Sequence, residues 1–177
     1  VSSSLTLAVN ALDTEVPLFA PSASAAGQAP AVFAESAPLP PVRKALVVLD
    51  TNIILDVFIF ADVAAKAVRQ ALEAGEIDWI ATQPMRDELA RVLAYPQIVP
   101  RLAFYQLSAD DVLAAFDRHA RLISPATKCR LSCRDADDQK FIDLAVAGQA
   151  LLLSKDRHIL SMTKRLRALG VMARAVM

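Results

Sequence analysis

Four acidic residues stand where a sheet protein would do chemistry. Asp50 ends the apolar run Leu46-Val47-Val48-Leu49 and opens the polar triplet Asp50-Thr51-Asn52. Consecutive aliphatic residues, two of them β-branched, are the pattern of a strand buried on both faces of a parallel α/β sheet, and such sheets bind ligands beyond the carboxyl ends of their strands. Leu151-Leu152-Leu153-Ser154-Lys155-Asp156 repeats the arrangement. Between them, Glu88 lies on the flank of the apolar face that Met85, Leu89, Val92 and Leu93 make at helical spacing, whereas Asp87 points away. Asp138 falls near the centre of the buried arc of Phe141, Ile142, Ala145 and Val146, with Asp135 one turn earlier on the same side, and Asp143 is expected to face solvent.

An ionised carboxylate beside a core is costly unless something neutralises it. The simplest doubly wound order makes the strands before Asp50 and Asp156 neighbours, so Asp50, Glu88, Asp138 and Asp156 converge on one cleft. No cation is evident among them, and like charges sharing a site raise one another's pKa. A hard divalent cation, Mg²⁺ or Mn²⁺, resolves the conflict, because such ions bind through a few carboxylates plus substrate phosphates. Helix capping is the competing reading: Asp50, Asp135 and Asp156 would be N-caps, with Asp137 and Asp138 complementing a helix dipole. Capping accounts for the acidity but not for the inward face of Asp138.

The elements that must position these residues alternate from Arg43 onward, which predicts α/β architecture with a parallel sheet. The first strand spans 45–49, with a helix from about Ile53. An amphipathic helix over 62–74 follows, which Gly75 stops. Ile77 to Ala81 is the second strand, and Thr82 or Gln83 opens a helix that carries Pro84 in its first turn and runs to Leu93. A proline-punctuated connection leads to a helix over 108–119, with Ser108 as N-cap and Asp111 as its capping-box partner. Short strands are expected at 121–124 and 150–153, a helix at 136–148, helical pieces across 155–169, and a closing strand at 171–176.

The 177 residues are enough for one domain with a sizeable core. Apolar residues make up 55% of the chain and mean hydropathy is +0.37, but alanine supplies much of both, and no run reaches the ~18 apolar residues of a membrane span. Residues 1–43 are a different material: rich in Ala, Ser and Pro, holding six of the ten prolines, and expected to carry little regular structure beyond a short helix over Leu5 to Leu12. Their first base is Arg43, whereas secretory and mitochondrial leaders need early positive charge, so the expectation is a cytoplasmic protein. Residues 1–42 hold three acids and no base, which leaves nineteen bases against sixteen acids in the remainder, a balance compatible with a polyanionic partner.

Taken in order, Val48-Leu49-Asp50-Thr51-Asn52, Asp87-Glu88-Leu89-Ala90-Arg91-Val92-Leu93 with Tyr95-Pro96-Gln97, Asp135-Ala136-Asp137-Asp138-Gln139-Lys140-Phe141-Ile142 and Leu153-Ser154-Lys155-Asp156 resemble the motifs of the PIN-domain nucleases. Within that family the likeness is to the bacterial branch described as toxin components of toxin–antitoxin systems. It runs from Lys44 to Arg174. It implies a Rossmann-like α/β/α sandwich over 44–177 with strand order 3-2-1-4-5. The acids it implies for catalysis and for Mg²⁺ or Mn²⁺ are Asp50, Glu88, Asp138 and Asp156, with Asp135 and Asp137 accessory. Where the last motif often reads Thr-Gly-Asp, this chain has Ser154-Lys155-Asp156, keeping the hydroxyl and replacing a small residue by lysine.

The activity so implied is metal-dependent cleavage of single-stranded RNA, leaving a 5′-phosphate. Thr51, Asn52 and Ser154 would orient the carboxylates, and Arg130, Arg134, Lys155 and Arg157 would meet phosphates, with Lys164, Arg165 and Arg167 further out. A cognate antitoxin and a second copy of the chain are further candidate partners. His119 and His158 are read as ordinary structural groups, and Cys129 and Cys133 as reduced thiols with poor zinc-site spacing. A phosphatase of the haloacid dehalogenase type would need an aspartate where Asn52 stands, and a receiver domain would need an early acidic pair. The remaining rival is a PIN-like module that binds RNA or protein without cleaving.

Overall fold

In the computed structural model, which describes residues 44–60 and 62–176, β1 (Ala45–Leu49) pairs in parallel with β2 (Ile77–Ala81) on one side and β4 (Leu151–Leu153) on the other. β3 (Ala120–Leu122) extends the sheet beyond β2 and β5 (Ala173–Arg174) beyond β4, giving the all-parallel order β3-β2-β1-β4-β5. This is the expected fold class and order. The apolar runs explain it: Val47, Val48, Leu49 and Leu152 are buried, as strands covered on both faces must be. The proposed helix at Leu5 to Leu12 and the rest of 1–43 lie outside the described residues.

The chain winds from β1 outward through β2 to β3, then returns to β4 beside β1 and winds out the other way. The β1/β4 pair is therefore the point where the winding reverses, the place in an open α/β sheet where a crevice forms. Register puts Leu49 opposite Leu153, and the Asp50 amide donates to the Leu153 carbonyl at 3.0 Å. The polar triplets after the two strands thus emerge side by side.

Around the sheet run α1 (Thr51–Phe58), α2 (Lys66–Glu73), α3 (Gln83–Leu93), α4 (Val99–Phe104), α5 (Ala109–His119), α6 (Gln139–Gly148), α7 (Arg157–Ser161) and α8 (Thr163–Arg167). α2 ends before Gly75, whose φ of +66° is a left-handed conformation that costs glycine little. The Ser108 and Asp111 capping box forms, with the Asp111 amide donating to Ser108 Oγ at 3.1 Å and the Ser108 amide to Asp111 Oδ2 at 2.8 Å. Among the described residues no helix is long and apolar enough to cross a membrane.

Several elements differ from expectation, α2 starting at Lys66 rather than 62 and β5 spanning only Ala173–Arg174 of 171–176. The proline-punctuated connection contains α4, because Pro100 sits in that helix's first turn, where a missing N–H costs nothing. α1 starts at once after Asp50 rather than near Ile53. α6 starts at Gln139 rather than 136, which makes Asp138 its N-cap residue.

Asp143 corrects the helical reading of α6. It is only 8% exposed, not on a solvent face. The connection after β3 packs against α6, and Asp143 Oδ1 accepts from the Cys129 amide at 2.9 Å and from Gln139 Nε2 at 2.7 Å. Gln139 in turn accepts from the Cys133 amide at 2.7 Å and donates to the Leu131 carbonyl at 2.9 Å. Helical periodicity identifies the face toward the sheet but carries no information about where a loop packs. Cys129 and Cys133 are free thiols within this connection, and burial raises the pKa of both.

Removing the acceptor strands a backbone amide and a side-chain amide in a part-buried setting, so Asp143→Ala should cost about 1–3 kcal/mol in urea unfolding. Asp143→Asn keeps an acceptor oxygen and should cost less than half of that. Equal midpoints for wild type and Asp143→Ala would contradict this account of the connection.

Candidate metal centre

Asp50, first of the four acids, is 4% exposed at the end of β1. It occupies the N-cap position of α1 but makes no side-chain capping bond. Its Oδ2 instead accepts from Ser154 Oγ at 2.5 Å and Asn52 Nδ2 at 2.6 Å. Asn52 Oδ1 takes the Lys155 amide at 3.1 Å, and the Asp156 amide donates to Ser154 Oγ at 2.9 Å. The loops after β1 and β4 are therefore laced together by Asn52 and Ser154, two of the residues expected to orient carboxylates. Desolvation pushes the Asp50 carboxyl up, outweighing the hydrogen bonds from Ser154 and Asn52.

Glu88 comes from α3, where Met85, Leu89 and Leu93 bury one face and leave it on the flank. Thr51, the third expected orienting residue, donates to Glu88 Oε1 at 2.7 Å. Glu88 Oε2 is ion-paired with Lys140 Nζ. That cation was missed in the sequence. Lys140 stands in the quoted motif but off the buried arc of α6, and periodicity does not show where a long side chain reaches.

Asp138 is the least compensated of the four. Although it is the N-cap residue of α6, its side chain makes no capping bond, and its Oδ2 is buried without a hydrogen-bond partner among the described residues. Desolvation first, then the charges of Asp156, Asp50, Asp135 and Glu88, push its carboxyl up to about 7. The acids thus lie close enough to feel one another. Asp156 does cap, accepting from the His158 amide at 2.6 Å, so the capping reading holds for one of its oxygens. Asp135 and Asp137 are exposed, and Asp135 Oδ1 accepts the Asp137 amide at 2.9 Å.

Among the described residues, no three His, Cys, Asp or Glu side chains lie together as a ready-made metal site. The donor set nevertheless fits a hard cation: oxygen ligands, mutual repulsion and a buried carboxylate oxygen with no partner are the conditions that a divalent ion relieves.

The expected phosphate-binding bases divide. Arg134 and Arg157 line a cavity of about 680 Å³ with His158, Ser161, Met162 and Arg165. Among the described residues none of these three arginines is ion-paired with a carboxylate. Arg165, placed further out on the sequence, joins them because α7 and α8 are short and fold it back. Arg130 is exposed and apart from this cavity. Lys155 differs from expectation: its ammonium sits between Asp56 at 2.7 Å and Asp62 at 2.8 Å, tying the loop after β4 to α1 and the segment beyond it. His119 stacks on Phe58 at 5.9 Å, a structural place.

The direction of the Asp138 shift fixes a pH dependence. A carboxyl whose folded pKa lies above its unfolded value binds its proton more tightly when folded, so its contribution is full below pH ~4 and is lost as pH rises through about 7. Metal-free protein should therefore melt at a lower temperature at pH 8 than at pH 5.5, and Asp138→Asn should flatten that difference. A melting temperature that rises over this interval and is unaffected by the substitution would contradict the crowding of charge described here.

Comparison with known proteins agrees with the geometry. A family model described as PIN domain matches residues 46–158. An uncharacterized protein of Methanocaldococcus jannaschii, MJ1680, is 26% identical over 123 residues, covering 67% of this chain and 76% of that protein. The crystal structure of VapBC2 from Rickettsia felis, bound to a DNA fragment from their promoter, superposes with a TM-score of 0.52 at 14% identity, covering 73% of this chain and 98% of that one. A PilT N-terminus domain protein of Sulfolobus solfataricus, SSO1118, gives a TM-score of 0.40 at 14% identity over 74% of this chain and 87% of its own. With most of the described fold and all four acidic motifs inside the matched region, the chain belongs to the PIN-domain family.

Proposed function

We propose that this chain is a Mg²⁺- or Mn²⁺-dependent endoribonuclease acting on single-stranded RNA. The observation that carries the reading is Asp138 Oδ2, buried and unpartnered among carboxylates whose charges it feels. Asp50, Asp138 and Asp156 would hold the ion, with Glu88 beside them and Asp135 and Asp137 at the rim. A divalent cation bound there supplies Lewis acidity toward a phosphodiester and an activated water.

The protein's own groups prepare the rest. Ser154 and Asn52 fix one oxygen of Asp50, Thr51 fixes one of Glu88, and Lys155, held by Asp56 and Asp62, anchors the loop that carries Ser154 and Asp156. Arg134, Arg157 and Arg165 line a cationic cavity, Arg157 directly following Asp156 and Arg134 directly preceding Asp135 in the chain, suited to the phosphates flanking the scissile one. Guanidinium groups match phosphate oxygens bidentately, which positions a backbone without reading its bases.

We further place the chain as the toxin of a toxin–antitoxin pair in the cytoplasm, with a small antitoxin as partner. Support comes from the likeness of its motifs to that branch of the family and from the shared fold with VapBC2.

An end-labelled single-stranded RNA should be cleaved in Mn²⁺ or Mg²⁺, leaving a 5′-phosphate, and not in EDTA. Asp138→Asn should lower the rate by at least roughly 100-fold while circular dichroism stays unchanged. Cleavage that persists in chelator contradicts the metal reading, and RNA bound equally by wild type and Asp138→Asn with no cleavage by either favours the non-cleaving module.

Substituting Arg157 and Arg165 together by Gln should raise KM several-fold and reduce its salt dependence with little change in kcat, the pattern of lost phosphate contacts. Lys155→Met should instead lower the melting temperature, because it leaves buried Asp56 without its cation. The reverse assignment of effects would overturn the division of the bases.

A further inference from the structure

We propose that Lys140 fills the place of a second cation, so that this centre takes one divalent ion per chain. The inference rests on the metal-centre reading above and concerns how many ions that centre admits.

Lys140 lies in the first turn of α6 and reaches Glu88. Its Nζ is ion-paired with Glu88 Oε2, donates to the Asp137 carbonyl, and stands 4.9 Å from the centre of the Phe141 ring. The Lys140 and Glu88 side chains are only 24% and 16% exposed. A carboxylate, a carbonyl and an aromatic face around one ammonium describe a held cation rather than a solvated surface lysine.

The consequence is an uneven cluster. Glu88 Oε1 accepts from the Thr51 hydroxyl and Oε2, buried without a hydrogen bond, has the ammonium as ion-pair partner, whereas among the described residues Asp138 Oδ2 has neither. One half, Glu88 with Lys140, is already neutral. The other, Asp50, Asp138 and Asp156, is not. With Asp50, Glu88, Asp138 and Asp156 ionised and the charge of exposed Asp135 screened by solvent, Lys140 leaves three net negative charges, and one divalent ion reduces these to one. A second divalent ion would turn the cluster positive and bring two like charges together unless the ammonium left Glu88. Glu88 is then a positioning residue that holds Lys140 at the centre's edge, and the ion belongs to the three aspartates.

The test counts ions and needs no activity. The full chain is stripped with chelator and titrated with Mn²⁺, free Mn²⁺ being read by electron paramagnetic resonance. Wild type should bind one Mn²⁺ per chain, Lys140→Met two, and Lys140→Arg one, with circular dichroism as the folding control and Lys140→Gln as a second neutral variant. Two ions of similar affinity on wild type would overturn the assignment of Lys140 while leaving the metal centre standing. A single ion on both neutral variants would do the same. No ion on any of the proteins would overturn both readings.

Discussion

Burial of carboxylates within reach of one another's charge, Asp138 and Asp50 above all, is the constraint to which the rest of this structure answers. The sheet sets Asp50 and the loop that carries Asp156 side by side, because winding reverses at the β1/β4 pair, and α3 and the start of α6 supply Glu88 and Asp138. Each is then treated differently by its neighbours. Asp50 accepts from a serine and an asparagine, Glu88 is given a lysine, Asp156 caps a helix, and Asp138 is left with a buried oxygen unpaired. Its carboxyl at about 7 is the electrostatic record of that arrangement. A fold maintains such a defect at the expense of stability, and functional sites are where such strain collects.

Cations nearby are sorted by the same logic. Lys140 and Lys155 are committed to carboxylates, one at the centre and one on the flank where Asp56 and Asp62 tie α1 and its following segment to the loop after β4. The three arginines of the cavity beside α7 are not paired with carboxylates among the described residues. Under the proposed reading, these uncommitted guanidinium groups are the ones that would grip the backbone of a polyanion.

Much of this was legible in the sequence, for identifiable reasons. Continuous apolar runs ending in Asp50 and Ser154-Lys155-Asp156 specify buried parallel strands, and from those the order of the sheet and the meeting of the two loops follow. The hydroxyls and amide of Thr51, Asn52 and Ser154 were legible because these residues directly follow the two strand ends that the sheet sets side by side. What was not legible came from long side chains and from loops. Lys140 and Arg165 reach places their helical position does not indicate, Lys155 turns away from the cavity toward two aspartates, and Asp143 is covered by a connection whose path no periodicity encodes. α4 was hidden by prolines that mark a helix start as readily as a loop.

The central claim is that the carboxylates at the β1/β4 reversal hold a divalent cation, and diffraction from crystals grown with Mn²⁺, measured at the manganese absorption edge, tests it most directly. The account predicts one anomalous peak bordered by Asp50, Asp138 and Asp156, with the Lys140 ammonium still on Glu88. Anomalous density elsewhere on the molecule with none at these aspartates would contradict it.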